Sequence, residues 1–353
     1  MKKTLILRVD RKKPDEERIG LAAEIIRRGG LVAFPTETVY GLGADALNPH
    51  AVREIYLVKK RPLDNPIIVH VADKSDVYRL AKNIPKQAEM LMDFFWPGPL
   101  TLVLEASDVV PRITTGGLST VAIRMPKHKV ALALIRASGT PIAAPSANLA
   151  GKPSPTMVEH VIQDLYGRID AILDAGPTRI GVESTVLDLT GEVPQILRPG
   201  GVTYEDLKRV LGRVSIHSSA LAKSKVYVKH ARSPGMKYRH YAPKAEVILV
   251  EGETDLIVEK IRELAEQYVK AGKKVGILAT DENLRKYEVG AVKSLGSRKD
   301  LSTAAKNLFR LLREFDEEKV DLIIAEGLPQ KGLGLAIMNR LRKAAGYNII
   351  TVG

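Results

Sequence analysis

Residues 30–45 read Gly-Leu-Val-Ala-Phe-Pro-Thr-Glu-Thr-Val-Tyr-Gly-Leu-Gly-Ala-Asp, a short apolar run followed by hydroxyl side chains and two glycines. The apolar stretch 31–34 has the length of a strand that is buried on both faces, and Pro35 ends its hydrogen-bonding ladder. Gly41 and Gly43 permit close backbone approach or a positive φ. The pattern predicts either a glycine-containing turn with solvated hydroxyls or a buried strand that delivers polar groups to a ligand, namely Thr36, Thr38 and Tyr40.

Two further segments change from apolar to polar residues in the same way. Lys59-Lys-Arg-Pro-Leu-Asp-Asn-Pro66 follows a predicted helix with Asn48 as N-cap and Pro49 as first residue, and precedes a predicted strand at 67–71. Pro141-Ile-Ala-Ala-Pro-Ser-Ala-Asn148 ends in small hydroxyl and amide side chains. Each segment alone is typical of a solvated face or a turn. Three together indicate a shared site near strand ends.

Length and composition exclude several classes of protein. A chain of 353 residues is long enough for two domains with substantial cores. The absence of cysteine excludes disulfides, thiolate nucleophiles and zinc–thiolate sites, and the seven histidines are scattered. No run of eighteen apolar residues occurs, and the N-terminus becomes charged too early for a signal peptide. We therefore expect a cytoplasmic protein with no membrane segment and no protein-bound transition metal.

The net charge of +13 is concentrated in one short segment. Residues 216–245 contain seven basic residues and no acidic ones, and so carry more than half of the excess. A protein that follows a nucleic-acid backbone usually spreads its basic residues over a domain face. The segment therefore favours one compact polyanion as ligand, although a solvated linker is the alternative. Its tyrosines and histidine can stack or donate hydrogen bonds, so we interpret it as a tether that also docks.

Two patterns of secondary structure flank this segment. In the first 215 residues predicted strands and helices mix irregularly, which indicates an α/β domain around a twisted mixed sheet. Strands are predicted at 101–104, 120–123, 171–173 and 185–189, and helices at 15–28, 86–95, 130–137 and 203–211. Residues 246–353 alternate regularly, which predicts a small Rossmann-like parallel sheet with helices on both faces. Its predicted strands are 247–250, 275–279 and 322–325, and its predicted helices are 254–271, 304–315 and 335–345.

The expected organisation is therefore an α/β domain at 1–215, a basic linker at 216–245 and a C-terminal domain at 246–353. Gly332-Leu-Gly334 precedes the last predicted helix and could present N–H groups to an anion. A plain helix-entry turn is the favoured interpretation, since no Gly-x-Gly-x-x-Gly follows the first strand of this domain.

Five ordered blocks carry a family resemblance. They are Phe34-Pro-Thr-Glu-Thr-Val-Tyr-Gly-Leu-Gly43, Lys59-x-Arg61-Pro, Pro145-Ser-Ala-Asn148, Arg198-Pro-Gly and Ser233-Pro-Gly-Met-Lys-Tyr-Arg-His-Tyr-Ala-Pro243. Together they resemble the long, two-domain form of the threonylcarbamoyl-AMP synthase family, with a YrdC-like N-terminal domain, over the whole chain. The resemblance implies condensation of L-threonine, bicarbonate or carbon dioxide, and ATP into threonylcarbamoyl-AMP and pyrophosphate. It also implies Mg²⁺ carried on the triphosphate, and a product passed to the machinery that forms threonylcarbamoyladenosine in transfer RNA.

The resemblance also implies roles for individual residues. Lys59 and Arg61 are the candidate catalytic residues. The ATP-binding set is Lys59, Arg61, Asn65, Thr120, Ser146, Asn148, Ser154, Arg198, Arg239, His240 and Tyr241. The threonine-binding set is Thr38, His70, Arg124, Ala144 through its backbone, and Ser184, with Thr36 and Tyr40 as second-rank candidates. Arg124 is the expected partner of the threonine carboxylate, and the linker 233–243 is expected to close over the nucleotide.

The residues leave two alternatives open. A basic groove on the N-terminal domain would also suit a module that binds double-stranded RNA or transfer RNA, although an aromatic content of 5% disfavours base stacking. The C-terminal domain could instead serve as a scaffold that recruits partners. No residue in the sequence identifies itself as a general base.

Overall fold

The computed structural model describes residues 2–222, 224, 231–234, 236 and 240–353. They form two compact units. The first comprises 2–150, 154–220 and the described residues of 231–236, and the second comprises 151–153, the described residues of 221–224, and 240–353. In the part of the chain that the structure describes, no helix combines the length and apolar character needed to cross a membrane.

The first unit is built on one mixed sheet. Its strands are β1 (Leu5–Arg8), β2 (Val32–Phe34), β3 (Gly41–Asp45), β4 (Ile68–His70), β5 (Ala81–Lys82), β6 (Leu100–Ala106), β7 (Thr120–Arg124), β8 (Ile142–Ala143), β9 (Ala171–Asp174), β10 (Thr185–Asp188), β11 (Gln195–Arg198) and β12 (Ser215–Ile216). Their spatial order is β1-β9-β2-β3-β8-β4-β7-β6-β10-β11-β12, with β5 beside β6. Because β4 pairs with β7 in parallel and β6 pairs with β7 antiparallel, the predicted mixed sheet is confirmed.

In the described part of this unit, three helices begin at a residue whose side chain caps the first turn. The helices of the unit are α1 (Glu16–Arg27), α2 (Pro49–Lys59), α3 (Asp76–Leu80), α4 (Lys86–Phe95), α5 (Lys129–Ser138), α6 (Val158–Leu165), α7 (Tyr204–Leu211) and the short α8 (Ser218–Leu221). The Asn48 side chain accepts from the backbone N–H groups of His50 and Ala51, and Pro49 is the first residue of α2, as predicted. Thr203 and Asp206 form a capping box at the start of α7.

Of the two interpretations of residues 30–45, the structure excludes the glycine-containing turn with solvated hydroxyls. Gly41 and Gly43 lie in β3, which pairs antiparallel with β2, and neither has a positive φ. A Cβ atom on Gly43 would lie 2.8 Å from both the Phe34 ring and the Ile142 side chain. The two glycines therefore serve close approach to the Phe34 ring rather than a turn. The signal was ambiguous because Gly-Leu-Gly lacks the β-branched residues typical of strands.

The second unit contains a five-stranded sheet in which all pairs are parallel. Its elements are β13 (Glu246–Gly252), α9 (Thr254–Lys270), β14 (Val275–Thr280), a 3₁₀ turn (Leu284–Lys286), β15 (Ala291–Gly296), α10 (Leu301–Glu317), β16 (Leu322–Glu326), α11 (Gly334–Ala344) and β17 (Ile349–Val352). The spatial order is β15-β14-β16-β13-β17. Ile277 packs in the cluster that includes Ile257 and Ile261 of α9, whereas a Cβ atom on the adjacent Gly276 would meet the Phe315 ring of α10. Successive residues of a strand face opposite sides, so helices cover both faces, as predicted.

Gly332 and Gly334 fit the helix-entry interpretation. The Gly334 N–H donates to the Lys331 carbonyl at 3.0 Å. A Cβ atom on Gly334 would lie 1.7 Å from the Pro329 carbonyl oxygen, so packing alone requires glycine at this position.

Candidate active site

The central strands of the first unit have one face buried in the main core and an opposite face that carries polar as well as apolar side chains. In β7, Val121 and Ile123 point into the main core, so Thr120, Ala122 and Arg124 point to the opposite side. The same alternation places His70 of β4 and Thr101 of β6 on this side. Ser184 directly precedes β10 and contacts Thr101. We call this surface, formed by β4, β7, β6 and the start of β10, the polar face.

His70 and Arg124 lie side by side at the end of two strands. They are paired in the parallel register of β4 and β7, which places two members of the predicted threonine set at one position of the sheet. His70 is 4% exposed, its ring meets the Phe34 ring edge-on at 6.1 Å, and its Nδ1 has no hydrogen-bond partner among the described residues. Burial and, secondarily, the Arg124 charge lower the pKa of His70 to about 3. The imidazole is therefore neutral at physiological pH.

Arg124 joins the polar face to the loop that follows β2. Its Nη1 donates to the Thr38 hydroxyl at 3.0 Å, and its Nε donates to the Gly98 carbonyl at 3.2 Å. Its Nη2 lies 2.7 Å from Oε2 of Glu37, and both side chains are almost fully buried. The Thr36 and Thr38 hydroxyls are hydrogen-bonded to each other at 2.8 Å. The loop that the sequence singled out thus lies against the predicted carboxylate partner.

A second network surrounds Ser184. Arg198, the last residue of β11, donates from Nε and Nη2 to the Ser184 carbonyl and from Nη2 to its hydroxyl, at 3.0–3.1 Å. The Thr101 and Ser184 hydroxyls are 2.8 Å apart. The backbone at Gly200 packs directly against the backbone around Ser184. A Cβ atom on Gly200 would lie 2.3 Å from the backbone between Glu183 and Thr185, so this contact requires glycine. The structure therefore brings one predicted ATP residue, Arg198, into contact with one predicted threonine residue, Ser184.

A further group of predicted ATP residues lies near the start of β4 and β7. Lys59 is buried at the end of α2, and its ammonium donates to the carbonyls of Ser146 and Asn148. Arg61 donates to the Pro66 carbonyl at 2.9 Å and to that of Asn65 at 3.3 Å. Thr120 is the first residue of β7. The Lys-x-Arg and Ser-x-Asn blocks are thus connected through Lys59.

Three further candidates are held by contacts within the first unit. The Ser154 hydroxyl donates to Oε1 of Glu183 at 2.6 Å. The Tyr40 hydroxyl donates to the Gly176 carbonyl at 2.8 Å, and burial raises the pKa of this phenol. The Ala144 N–H donates to the Ile68 carbonyl at 2.9 Å. The carbonyl oxygen of Ala144 is therefore the backbone atom that a ligand would have to contact.

The linker contributes to both units. Ala231 and Met236 pack on the polar face in one apolar cluster with Ile68, Val103, Ala122, Val186 and Leu197. Arg232 forms an ion pair with Asp188 of β10. These linker residues lie over the strand centres, between the two groups of predicted site residues.

The other described part of the linker belongs to the second unit. The Tyr241 ring stacks on Phe309 at 5.3 Å, and the Arg340 guanidinium lies 5.5 Å from its centroid. His240 is next to it, with ring centroids 5.6 Å apart. Arg239, the third predicted linker contact to ATP, lies outside the described residues.

Sequence reasoning overlooked two residues of this region. Glu37 lies inside the quoted stretch but was passed over because its neighbours carry hydroxyls, and an acidic residue does not suit a site for anions. Thr101 was overlooked because the strand that contains it reads as continuously apolar from Leu100 to Leu104 except at that position. A lone threonine in a buried strand was the only available signal.

Comparison with known proteins decides the family. The Sua5/YciO/YrdC family model, described as telomere recombination, matches residues 24–200, and the model for the threonylcarbamoyl-AMP synthase C-terminal domain matches residues 202–346. A threonylcarbamoyl-AMP synthase of Pyrococcus abyssi is 55% identical over 99% of this chain and 100% of its own length. The chain belongs to the threonylcarbamoyl-AMP synthase family.

Two more similarities support this assignment. The threonylcarbamoyl-AMP synthase of Bacillus subtilis is 51% identical over 97% of this chain and 96% of its own length. The crystal structure of P. abyssi Sua5 complexed with L-threonine superposes with a TM-score of 0.94 at 54% identity and covers 99% of this chain and 100% of its own. The two-domain form of the family, inferred from five short blocks, is confirmed.

Proposed function

We propose that this protein is an L-threonylcarbamoyladenylate synthase. It condenses L-threonine, bicarbonate or carbon dioxide, and ATP into threonylcarbamoyl-AMP with release of pyrophosphate. The observation that carries the proposal is full-length identity of 51–55% to proteins named threonylcarbamoyl-AMP synthase. We further propose that it works in the cytoplasm and passes its product to the transferase that forms N6-threonylcarbamoyladenosine in transfer RNA.

The chemistry suits a site that positions reactants and neutralises charge. The threonine amine becomes a carbamate, whose oxygen attacks the α-phosphorus of ATP in line with the departing pyrophosphate. Carbamates lose carbon dioxide in water, so enclosure protects the intermediate. The buried polar groups of the first unit support this role, because they are held by one another and away from solvent.

The threonine end of the site is proposed around Arg124. Its guanidinium binds the substrate carboxylate, beside the Thr38 hydroxyl that it already contacts at 3.0 Å. The neutral His70 accepts a hydrogen bond from the substrate hydroxyl through Nδ1, which has no partner among the described residues. The Ala144 carbonyl and the Ser184 hydroxyl complete the set.

The nucleotide end is proposed around the start of β7 and the end of α2. Lys59 and Arg61 are the cations closest to the chemistry. The remaining contacts to ATP are proposed for Asn65, Thr120, Ser146, Asn148, Ser154, Arg198, Arg239, His240 and Tyr241. Mg²⁺ enters on the triphosphate, because this ion keeps most of its water and binds phosphate oxygens.

The linker is proposed to act as a flap over the nucleotide. We place the catalytic domain at 1–215, the flap at 216–245 and the C-terminal domain at 246–353. Support comes from Ala231 and Met236, which pack on the polar face between the two groups of site residues. Opening and closing of this segment would admit ATP and release pyrophosphate.

The RNA-binding alternative is not favoured. It would have required a nucleic-acid groove with no need for a threonine site, whereas the relatives that match the full chain are named as synthases. Direct binding of transfer RNA to this chain has no support in the geometry described above.

Pyrophosphate release tests the proposal directly. Release is measured from ATP with threonine and bicarbonate together and with each omitted in turn, under carbon dioxide-free buffer. The proposal requires both co-substrates. Equal release without bicarbonate would reject the reaction, and release with no amino acid would indicate a simple ATP hydrolase.

A further inference from the structure

Glu37 is a buried carboxylate to which the reaction scheme above gives no role. Its side chain is 6% exposed, and its Oε2 lies 2.7 Å from Nη2 of Arg124, whose side chain is 4% exposed. At this short distance the N–H does not point at the oxygen, so neither Glu37 oxygen accepts a hydrogen bond from a described residue. A buried carboxylate without donors is costly. The pair is thus balanced in charge but incomplete in hydrogen bonding.

Other charged and titratable groups around Glu37 do not complete its hydrogen bonding. His128, at the start of α5, has its pKa lowered to about 4 by burial and by Arg11, with Glu37 acting in the opposite direction. His70 faces Arg124 and is neutral for the reason given above. Among the described residues, the charged group in contact with the Glu37 carboxylate is therefore the Arg124 guanidinium, at 2.7 Å.

The shape of an α-amino acid fits this arrangement. Its ammonium and carboxylate are attached to the same carbon, so a carboxylate bound to Arg124 brings the ammonium within a few ångströms of that guanidinium. A cation in such a position needs a negative partner, because burying it beside another cation without one is strongly unfavourable. The carboxylate nearest to Arg124 is that of Glu37.

We propose that Glu37 binds the ammonium group of the substrate amino acid. The inference rests on the proposed function, and specifically on Arg124 as the carboxylate partner. Without substrate, Glu37 and Arg124 neutralise each other across 2.7 Å. With substrate, each takes the opposite charge of the zwitterion, so no buried charge is left uncompensated. Glu37 acts in substrate binding by holding the ammonium group. The deprotonation that precedes carboxylation is a separate step and is not assigned to Glu37.

The arrangement predicts a specific selectivity. A hydroxy acid identical to threonine except for a hydroxyl in place of the amine keeps the carboxylate but loses the partner of Glu37. Its carboxylate must then compete with Glu37 for Arg124 and adds an uncompensated negative charge. Replacing Glu37 by a neutral residue removes both the attraction for the amine and this competition, so the two ligands should respond in opposite directions.

Calorimetric titration of the full-length protein tests the inference without ATP or bicarbonate. The ligands are L-threonine and the corresponding 2,3-dihydroxybutanoate, and the variants are Glu37→Gln, Glu37→Asp and the control Glu192→Gln in an exposed turn. For Glu37→Gln we expect threonine to bind about 10- to 100-fold more weakly, the range for a lost charge-assisted contact, and the hydroxy acid to bind as well or better. Glu37→Asp should keep part of the preference for threonine, and Glu192→Gln all of it.

Two results would overturn the inference. Equal losses for both ligands in Glu37→Gln would show that Glu37 only supports Arg124. If that variant does not fold, the wild-type protein still tests the inference. A wild-type affinity for the hydroxy acid within threefold of that for threonine would show that Glu37 does not bind the ammonium group. Failure of the wild type to bind threonine at all would instead refute the proposed function.

Discussion

Thr120 and Arg124 occupy the two ends of β7 and face the same side of the sheet. Ala122 lies between them and packs against Ala231 and Met236 of the linker. Four residue steps of about 3.3 Å separate the two by roughly 13 Å. One strand thus carries a proposed nucleotide contact at one end and the proposed threonine contact at the other, with the flap across its centre.

Because ATP and threonine are proposed to bind different arginines, replacing one of these arginines should weaken the binding of one substrate and not of the other. Arg61→Ala should weaken ATP binding about ten- to a hundred-fold and leave threonine binding unchanged, because Arg61 lies near the start of β4. Arg124→Ala should weaken threonine binding by a similar factor and spare ATP. Calorimetry with each ligand, and with the exposed Arg112→Ala as control, measures the split.

Arg198 should behave differently from both. It donates to the Ser184 hydroxyl, so Arg198→Ala removes a proposed ATP contact and also releases a proposed threonine contact. We expect losses for both ligands. If all three variants lose affinity for ATP and for threonine equally, the proposal that different arginines bind the two substrates is contradicted.

Substrate selectivity should follow the buried His70. Serine lacks one methyl group, which costs about 1 kcal/mol, whereas valine leaves the imidazole without a partner and costs roughly 1–3 kcal/mol more. We expect kcat/KM to fall from threonine to serine to valine. If valine reacts as well as threonine, His70 does not recognise the hydroxyl.

Acid should destabilise the first unit through His70. A histidine whose pKa falls to about 3 on folding stays neutral while the unfolded chain takes up a proton near pH 6.5. Its contribution to stability is therefore full above pH 6.5 and is lost as the pH falls toward 3. Between pH 7 and 4.5 the wild type should lose roughly 2–3 kcal/mol more than His70→Gln.

Urea unfolding followed by tryptophan fluorescence measures this difference. Trp96 is the single tryptophan of the chain and is buried in the core of the first unit, so its signal reports on that unit. The pKa of His128 is also lowered by folding, but His128 is present in both proteins. Its contribution to the pH dependence of stability therefore cancels in the comparison. Identical pH profiles for the two proteins would contradict this prediction, because they would show that His70 takes up its proton at the same pH in the folded protein as in the unfolded chain.

The flap hypothesis predicts that Met236 matters for ATP although it carries no charge. Met236→Glu would place a charge on the apolar cluster of the polar face, which costs several kcal/mol unless the segment leaves the sheet. We expect kcat/KM for ATP to fall at least about tenfold. Met90→Glu, at an exposed position of α4, is the matched control. If Met236→Glu synthesises the product at the wild-type rate, the segment only connects the two domains and does not act as a flap.

Most of the fold could be predicted from the sequence, because helix caps and apolar runs are local signals. The helix at 86–95 was placed to the residue, and α2 began at Pro49 as its cap required. The edge strands β15 and β17 were missed, since their residues are largely half-buried and neither is a continuous apolar run. β1 was missed because Lys2, Lys3, Arg8 and Asp10 give the N-terminal segment a charged character, and β8 was missed because two residues are too few for a periodic pattern.

The site was only partly predictable. Polar residues after apolar runs correctly marked the loop at 36–40, but pairing between strands is not a local property. The contact between Arg198 and Ser184 depends on β10 and β11 forming an antiparallel pair, and that between Arg124 and Glu37 joins residues 87 positions apart. For the linker, the sequence indicated docking, while the packing of Met236 on the polar face required the structure.

The central claim is that the carbon of bicarbonate enters the adenylate product, and isotope labelling tests this claim most directly. The full-length protein is incubated with ATP, L-threonine and ¹³C-labelled bicarbonate, and the products are analysed by mass spectrometry. A threonylcarbamoyl-adenylate that carries one ¹³C, formed in equal amount to pyrophosphate, is the predicted result. Pyrophosphate formed with an adenylate of threonine that contains no label would contradict the account.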